Sequence, residues 1–323
     1  MFFQNRQTIK TTKNSYCVVM RKKLLFTTIA ALLFMAFVAC EREETKPAET
    51  PAETQQHLFT VAEGHHVLFS PGNLQYTTTG SHTTAEGTAN GTFRFAEHQY
   101  DYLGEANALV SDTNKGWIDL LTWGSSGWHV APCSEKDGDY DIESLCGDEA
   151  YADWGVYNAI GNDKPGTWRT LTQAEWDYLV NQRASSSVDG TDSAGYAEAT
   201  VCNVKGLILF PDKFVRPASL DSIKGINLNS FTLHFSDNVY NAEQWAQMEE
   251  AGAVFLPAAG FRGGTWLSSI CEGGSYWAAT CNDKRQAYAM LFIDGLVNAK
   301  AEGNYEKDRG YGRSVRLVRD AAR

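Results

Sequence analysis

Ser275-Tyr276-Trp277-Ala278-Ala279-Thr280, Ala287-Tyr288-Ala289-Met290-Leu291-Phe292-Ile293 and Gly312-Arg313-Ser314-Val315-Arg316-Leu317-Val318 are the three pieces whose reading decides the fold. Each is short, rich in aromatic and aliphatic residues, and bounded by Gly, Asn or Asp, which is how strands read. Between the second and third lies a polar, glycine-broken segment, residues 298–311, with almost nothing to bury. An apolar framework carrying a polar, aromatic-studded loop is the layout of a recognition surface. The candidate ligand-binding residues are therefore Asn282, Asp283, Arg285, Asn298, Asn304, Tyr305, Arg309 and Tyr311, with Trp277 at the edge. Tyr and Asn offer contact area and adaptable hydrogen bonds at low entropic cost.

Upstream of these strands the sequence predicts two helices. Residues 168–182 contain Thr172 and Glu175 at capping-box spacing, followed by the apolar stripe Trp176, Leu179 and Val180. A second helix follows Asn241, a good N-cap, with Trp245 and Met248 facing inward and Gly252 ending it. After each helix comes a buried strand, Val204 to Phe210 and Ala253 to Leu256. Leu58 to Tyr76 alternates and breaks at Ser70-Pro71-Gly72-Asn73, giving two short strands and a turn. Thr77 to Gly91, lacking apolar content, reads as a loop, and strand resumes at Thr92-Phe93-Arg94-Phe95-Ala96. The organisation expected is an N-terminal β-hairpin region over 58–110 packed on a main domain over 111–323.

Several motifs invite chemistry. His65-His66 suggests a metal, but neighbours on a strand point to opposite faces and cannot share one ion. Trp117, Trp123 and Trp128 could stack a sugar, although core packing is the commoner use of such a run. Asp137, Asp139, Asp141 and Asp148 imitate positions 1, 3, 5 and 12 of a calcium loop. Ile142 stands where that loop requires Gly, so a solvated acidic insertion is the plainer reading, and no metal or other cofactor is expected.

With 323 residues, 43% of them hydrophobic, the chain can bury a sizeable core in one large domain or two small ones. The formal charge of −11, with no basic cluster in the globular part, excludes nucleic acid as an expected partner. Residues 1–39 read as a leader, with Arg21-Lys22-Lys23 as the basic region and Leu24 to Ala39 as an apolar run too short to span. Met20 directly precedes Arg21 and is the expected start of translation. Removing residues 1–40 takes away six Lys/Arg and no Asp/Glu, moving the charge from −11 to −17. Residues 40–57 then form an acidic tether, partly extended by Pro47 and Pro51.

Phe37-Val38-Ala39-Cys40 resembles the lipobox of bacterial lipoproteins, which implies that Cys40 is acylated. A plain secretory signal or an uncleaved anchor is the alternative. Glu41-Arg42-Glu43-Glu44 resembles the surface-export signals of some Gram-negative lipoproteins. The protein is accordingly expected at the outer membrane, surface-exposed and touching the membrane only through its lipid. An oxidising compartment permits disulfides, and the local pairs Cys133–Cys146 and Cys271–Cys281 would close short loops. Cys202 makes five, and other pairings remain open.

Trp168-Arg169-Thr170-Leu171-Thr172-Gln173-Ala174-Glu175-Trp176 resembles the start of a helix in the formylglycine-generating-enzyme group of C-type-lectin-like folds. Tyr276-Trp277, Ala287-Tyr288 and the run Gly312 to Asp320 resemble the Fibrobacter-type major paralogous domain more closely, with Ala278-Ala279 departing mildly from its pattern. The resemblance covers residues 116–320. It implies an α+β, C-type-lectin-like domain: two helices beside small twisted antiparallel sheets with long loops, preceded here by the N-terminal β-hairpin. In that setting Arg313 and Arg316 fall on different faces of the last strand, one internal and one exposed.

The function expected is non-catalytic, adhesin-like binding of an extracellular protein or glycan. No Glu-Pro-Asn, Gln-Pro-Asp or Trp-Asn-Asp triplet supports the calcium-dependent sugar site of animal lectins. A structural subunit of a pilus is the alternative. A formylglycine-generating-type oxidase is a further one, which needs a closely spaced reactive cysteine pair.

Overall fold

The expected capping box forms at Thr172, and the expected N-cap Asn241 belongs to a second one. The computed structural model of the protein describes residues 57–183, 195–282, 285–299 and 308–321. The Thr172 hydroxyl accepts from the Glu175 N–H at 3.2 Å, and the Glu175 carboxylate accepts from the Thr172 N–H at 2.8 Å. Asn241 and Gln244 repeat the exchange at 2.9 and 3.0 Å. The first helix is shorter than its pattern predicts, Gln173–Asp177, with a π-type turn over Tyr178–Gln182. Residues 168–171 are extended because other elements claim their backbone. Arg169 bridges Val318, Thr170 N–H donates to the buried Asp153 carboxylate at 2.7 Å, and Leu171 C=O accepts from Ala279. The second helix is Ala242–Glu250, with Trp245 and Met248 buried.

In chain order the strands begin with β1 (Phe59–Ala62), β2 (His65–Phe69), β3 (Leu74–Thr84) and β4 (Gly87–Phe95). There follow β5 (Leu121–Thr122), β6 (Tyr196–Val201), β7 (Val204–Leu209), β8 (Val239–Tyr240) and β9 (Val254–Pro257). Next come β10 (Phe261–Gly263), β11 (Trp266–Ser268), β12 (Gly273–Cys281) and β13 (Ala287–Ile293). The last are β14 (Leu296–Asn298), β15 (Tyr311–Arg313) and β16 (Val318–Asp320). They make small sheets in the orders β1-β2-β16, β3-β4, β8-β6-β7-β9, β11-β10-β15-β5 and β12-β13-β14, antiparallel except for β6 against β8. The architecture is mixed α and β, with few helices. The segment expected as a loop at 77–91 is instead most of the β3–β4 ribbon. Its threonines are β-branched and suit an exposed strand without any apolar face to bury.

The β12–β13 pair lies at the centre. Tyr276 and Ala278 join the apolar cluster around Trp176 and Phe292, whereas Trp277 and Ala279 join the one around Trp123 and Trp154. Alternate side chains of one strand thus enter two cores, and its sequence is continuously apolar for that reason. Each large side chain so buried contributes about 1.5–3 kcal/mol. A third cluster surrounds Trp245 and Phe255.

The third predicted strand is broken. β15 stops at Arg313, Ser314 bridges Tyr276, and pairing resumes only at Val318 against Phe69. Arg313 and Arg316 are both buried, so neither is the exposed member expected. Arg316 donates to the carbonyls of Ser70 at 3.1 Å and Gln99 at 3.4 Å, and to that of Phe255. Its burial pulls its pKa down to about 10.

Glu198, on β6, accepts the Gly295 N–H at 2.8 Å and so ties the β13–β14 turn to the neighbouring sheet. Burial pushes its carboxyl from 4.5 up to about 7. A raised folded pKa contributes stability that is complete below pH 4.5 and lost as pH rises through about 7. Thermal melts should therefore show wild type losing a few degrees more than Glu198→Gln between pH 5 and pH 8, roughly the yield of 1 kcal/mol. Parallel pH profiles for the two proteins would contradict this.

Candidate functional site

Among the described residues, those expected to form one crest are dispersed. Asn282 and Arg285 are exposed at the Cys281/Ala287 end of β12–β13, where Asn282 accepts from the Tyr288 hydroxyl at 3.2 Å. Asn298 is exposed on β14 opposite Leu291. Trp277 is 1% exposed and Arg309 is 0% exposed, which removes both from any contact surface. Arg309 donates to the carbonyls of Asp139 at 2.5 Å and Ile142 at 2.7 Å, with its guanidinium 4.3 Å from the Trp123 ring centre. It pins the acidic 137–142 segment to the core. Asp283, Asn304, Tyr305 and Cys40 lie outside the described residues, as do the leader and the tether up to residue 56.

Among the described members of that set, Tyr311 alone belongs to a built surface. β10 and β11 form a two-residue hairpin at Gly264-Thr265, with Gly264 at φ +60°. Register sets Gly263 opposite both Trp266 and Tyr311. Strand alternation then places Phe261, Trp266, Tyr311 and Arg313 on one face. A Cβ on Gly263 would come within 2.4 Å of the Trp266 indole, so glycine there lets the ring lie flat over backbone. Phe261 and Tyr311 stack at 5.8 Å and 28°, and Trp266 meets each edge-on at 5.7 and 6.1 Å. Trp266 is 53% exposed. Beneath this layer lies the buried Arg313 guanidinium, 5.5 Å from the Phe261 centre and 4.8 Å from that of Trp277. Its Nη1 donates to Ser275 Oγ.

The opposite face of the hairpin explains its rigidity. Arg262 is fully buried and donates to the carbonyls of Leu120 at 2.7 Å, Ser134 at 2.7 Å and Glu135 at 2.8 Å. One guanidinium thus satisfies three backbone acceptors of an irregular segment. Burial lowers its pKa to about 10. A cleft opens beside Phe261, between this hairpin and the Gly273/Ile293 end of β12–β13.

The remaining motifs are structural. His65 meets Asp320 at 3.1 Å while His66 meets Thr60 at 2.9 Å, on separate sides of β2. Trp123 is fully buried, Trp117 carries the Arg94 guanidinium at 3.8 Å, and Trp128 stacks on His129. Asp139 is buried and accepts from His129 at 3.0 Å. Among the described residues no three His, Cys, Asp or Glu gather as a metal would require, and no helix is long and apolar enough to cross a membrane.

The expected disulfides do not form. Cys281 is the last residue of β12 and Cys271 stands two residues before its first, so about 30 Å of largely extended chain separates them, whereas a bridge needs Cα atoms within about 7 Å. Cys271 Sγ instead meets the Tyr102 hydroxyl at 2.7 Å, and Cys281 Sγ donates to Glu143 C=O. Cys133 and Cys146 are also unbonded, the segment between them being anchored by Arg309 instead. Chymotryptic peptide mapping after thiol blocking, with cleavage at Tyr276 and Trp277, should recover Cys271 and Cys281 blocked and in separate peptides. A 271–281 linkage would contradict the strand.

Set beside protein-family models, curated proteins and solved structures, the chain matches none of them.

Proposed function

We propose that this protein is a non-catalytic ligand-binding module of the C-type-lectin-like kind, carried at the bacterial outer surface on a lipid attached to Cys40. The contact face in this reading is the Phe261–Trp266–Tyr311 cluster. The observation that carries it is Trp266, a half-exposed tryptophan fixed between two aromatic edges on a hairpin whose other face is pinned by buried Arg262. A rigid aromatic anchor that is already desolvated on one side loses little entropy on binding, which is how hot-spot residues act. The two capped helices and the central β12–β13 hairpin support the fold assignment. The oxidase alternative loses support because Cys271 and Cys281 stand at opposite ends of a strand.

A screen of glycans and surface proteins against the full chain identifies the ligand. Trp266→Ala should then weaken binding at least about tenfold while leaving the melting temperature unchanged. Equal binding by the variant would overturn the assignment of this face.

A further inference from the structure

A second cleft, sharing no residue with the aromatic face, opens at the base of the β3–β4 ribbon. Gln75 and Arg94 stand opposite each other across the ribbon, and the segment after β4 adds Glu97, Asp101 and Tyr102 to the lining. The Arg94 guanidinium lies 3.8 Å from the centre of the Trp117 ring, which thus holds a cation instead of offering that face to a ligand. Arg94 Nε donates to Gln75 Oε1 at 2.9 Å, so the amide nitrogen is the atom left over. Gln75 is 3% exposed and yet lines the cleft, and among the described residues its amide N–H groups meet no acceptor. A donor left unmade at that depth costs about 1–3 kcal/mol unless water or a ligand takes it.

The polar atoms around Gln75 are uncommitted in both senses. Among the described residues the Arg94 Nη groups donate to no acceptor and the exposed Glu97 carboxylate accepts from no donor. Asp101 uses only Oδ2, which accepts from the His98 N–H at 2.9 Å and closes the turn over 98–101. The Tyr102 hydroxyl is engaged by Cys271 Sγ at 2.7 Å, and Phe95 is braced edge-on by Trp168 at 5.1 Å. These two rings supply the apolar part of the lining.

We propose that this cleft is a subsite for a neutral pyranose, whose vicinal hydroxyls take hydrogen bonds from Gln75 and Arg94 and give them to Glu97 and Asp101. A hydroxyl donates and accepts at once, so a row of them matches donors set beside acceptors. The amide, guanidinium and carboxylate groups are planar and can each reach two neighbouring hydroxyls, while the C–H face of the sugar rests on Phe95 and Tyr102. Two carboxylates against one guanidinium disfavour an acidic sugar. The 98–101 turn and the Arg94–Trp117 stack hold these groups before the ligand arrives, so little freedom is lost on binding. The subsite goes beyond the aromatic binding face and does not depend on it.

The test titrates the full chain with the methyl glycosides of D-glucose, D-galactose and D-mannose. Tetrahydropyran-2-methanol serves as a ring without vicinal hydroxyls, and L-leucine as a zwitterion. The Trp117 indole N–H signal, assigned through Trp117→Phe, reports occupancy. At least one glycoside should move it with Kd below about 20 mM, and tetrahydropyran-2-methanol should bind at least about tenfold more weakly. Glu97 is exposed, so Glu97→Ala should fold as wild type does and weaken that glycoside at least about fivefold. Arg94→Lys keeps the charge, loses the paired donors and should weaken it likewise. No response to any of the glycosides at about 100 mM, equal binding of tetrahydropyran-2-methanol, or unchanged binding by either folded variant would each overturn the proposal. Tighter binding of L-leucine than of every glycoside would overturn it too, in favour of an amino-acid site. Trp266→Ala should bind the glycoside as wild type does, so failure of the aromatic face and failure of this subsite are told apart.

Discussion

Arg309→Ala is expected to cost about 3–5 kcal/mol of stability, even though the residue sits in a stretch that reads as a ligand-contacting loop. Its guanidinium satisfies the buried carbonyls of Asp139 and Ile142, and its stem lies against Gly138, where a Cβ would come within 2.5 Å of Arg309 Cβ. Truncation leaves both acceptors without that donor and opens space over the Trp123 ring. Charge-assisted hydrogen bonds of this kind are worth about 1.5–3 kcal/mol each. Urea denaturation measures the loss directly, and a change below about 1 kcal/mol would show that the 137–142 segment is held by something else.

Trp277→Ala should be comparably severe, at about 3–5 kcal/mol. The indole Nε1 donates to Leu121 C=O at 2.8 Å, the Trp277 carbonyl accepts from Trp176 Nε1, and the ring carries Arg313. Removing it joins a cavity to an unpaired carbonyl and loosens the guanidinium above. Trp277 and Trp266 thus make a contrasting pair. The first should move the unfolding midpoint and the second should not. A mild Trp277→Ala variant would place this residue outside the core.

Locally encoded features were legible in the sequence. Both helix caps are contained within four residues, and the β12–β13 hairpin is written as two apolar runs between polar breaks. The proposed binding face is not, because its members are separated in sequence and meet only through register: Phe261, Trp266 and Tyr311 share a face across β11-β10-β15. One signal was available. Phe261-Arg262-Gly263-Gly264-Thr265-Trp266 places two glycines between aromatic ends, the pattern of a tight hairpin that sets its aromatics side by side. Burial of arginine was invisible for a different reason. Arg262, Arg309, Arg313 and Arg316 all lie inside, where arginine is rare, and backbone carbonyls receive the guanidinium donors of Arg262, Arg309 and Arg316. The threonine-rich β3–β4 ribbon carries no strand signal in apolar content, because an exposed ribbon needs none.

The most direct test of the account follows the indole N–H signals of the nine tryptophans during titration with the selected ligand, Trp266 being assigned through Trp266→Phe. The account predicts that the Trp266 signal moves furthest while those of buried Trp123, Trp154 and Trp176 stay in place. Saturation of the protein with ligand while the Trp266 signal stays fixed would contradict it.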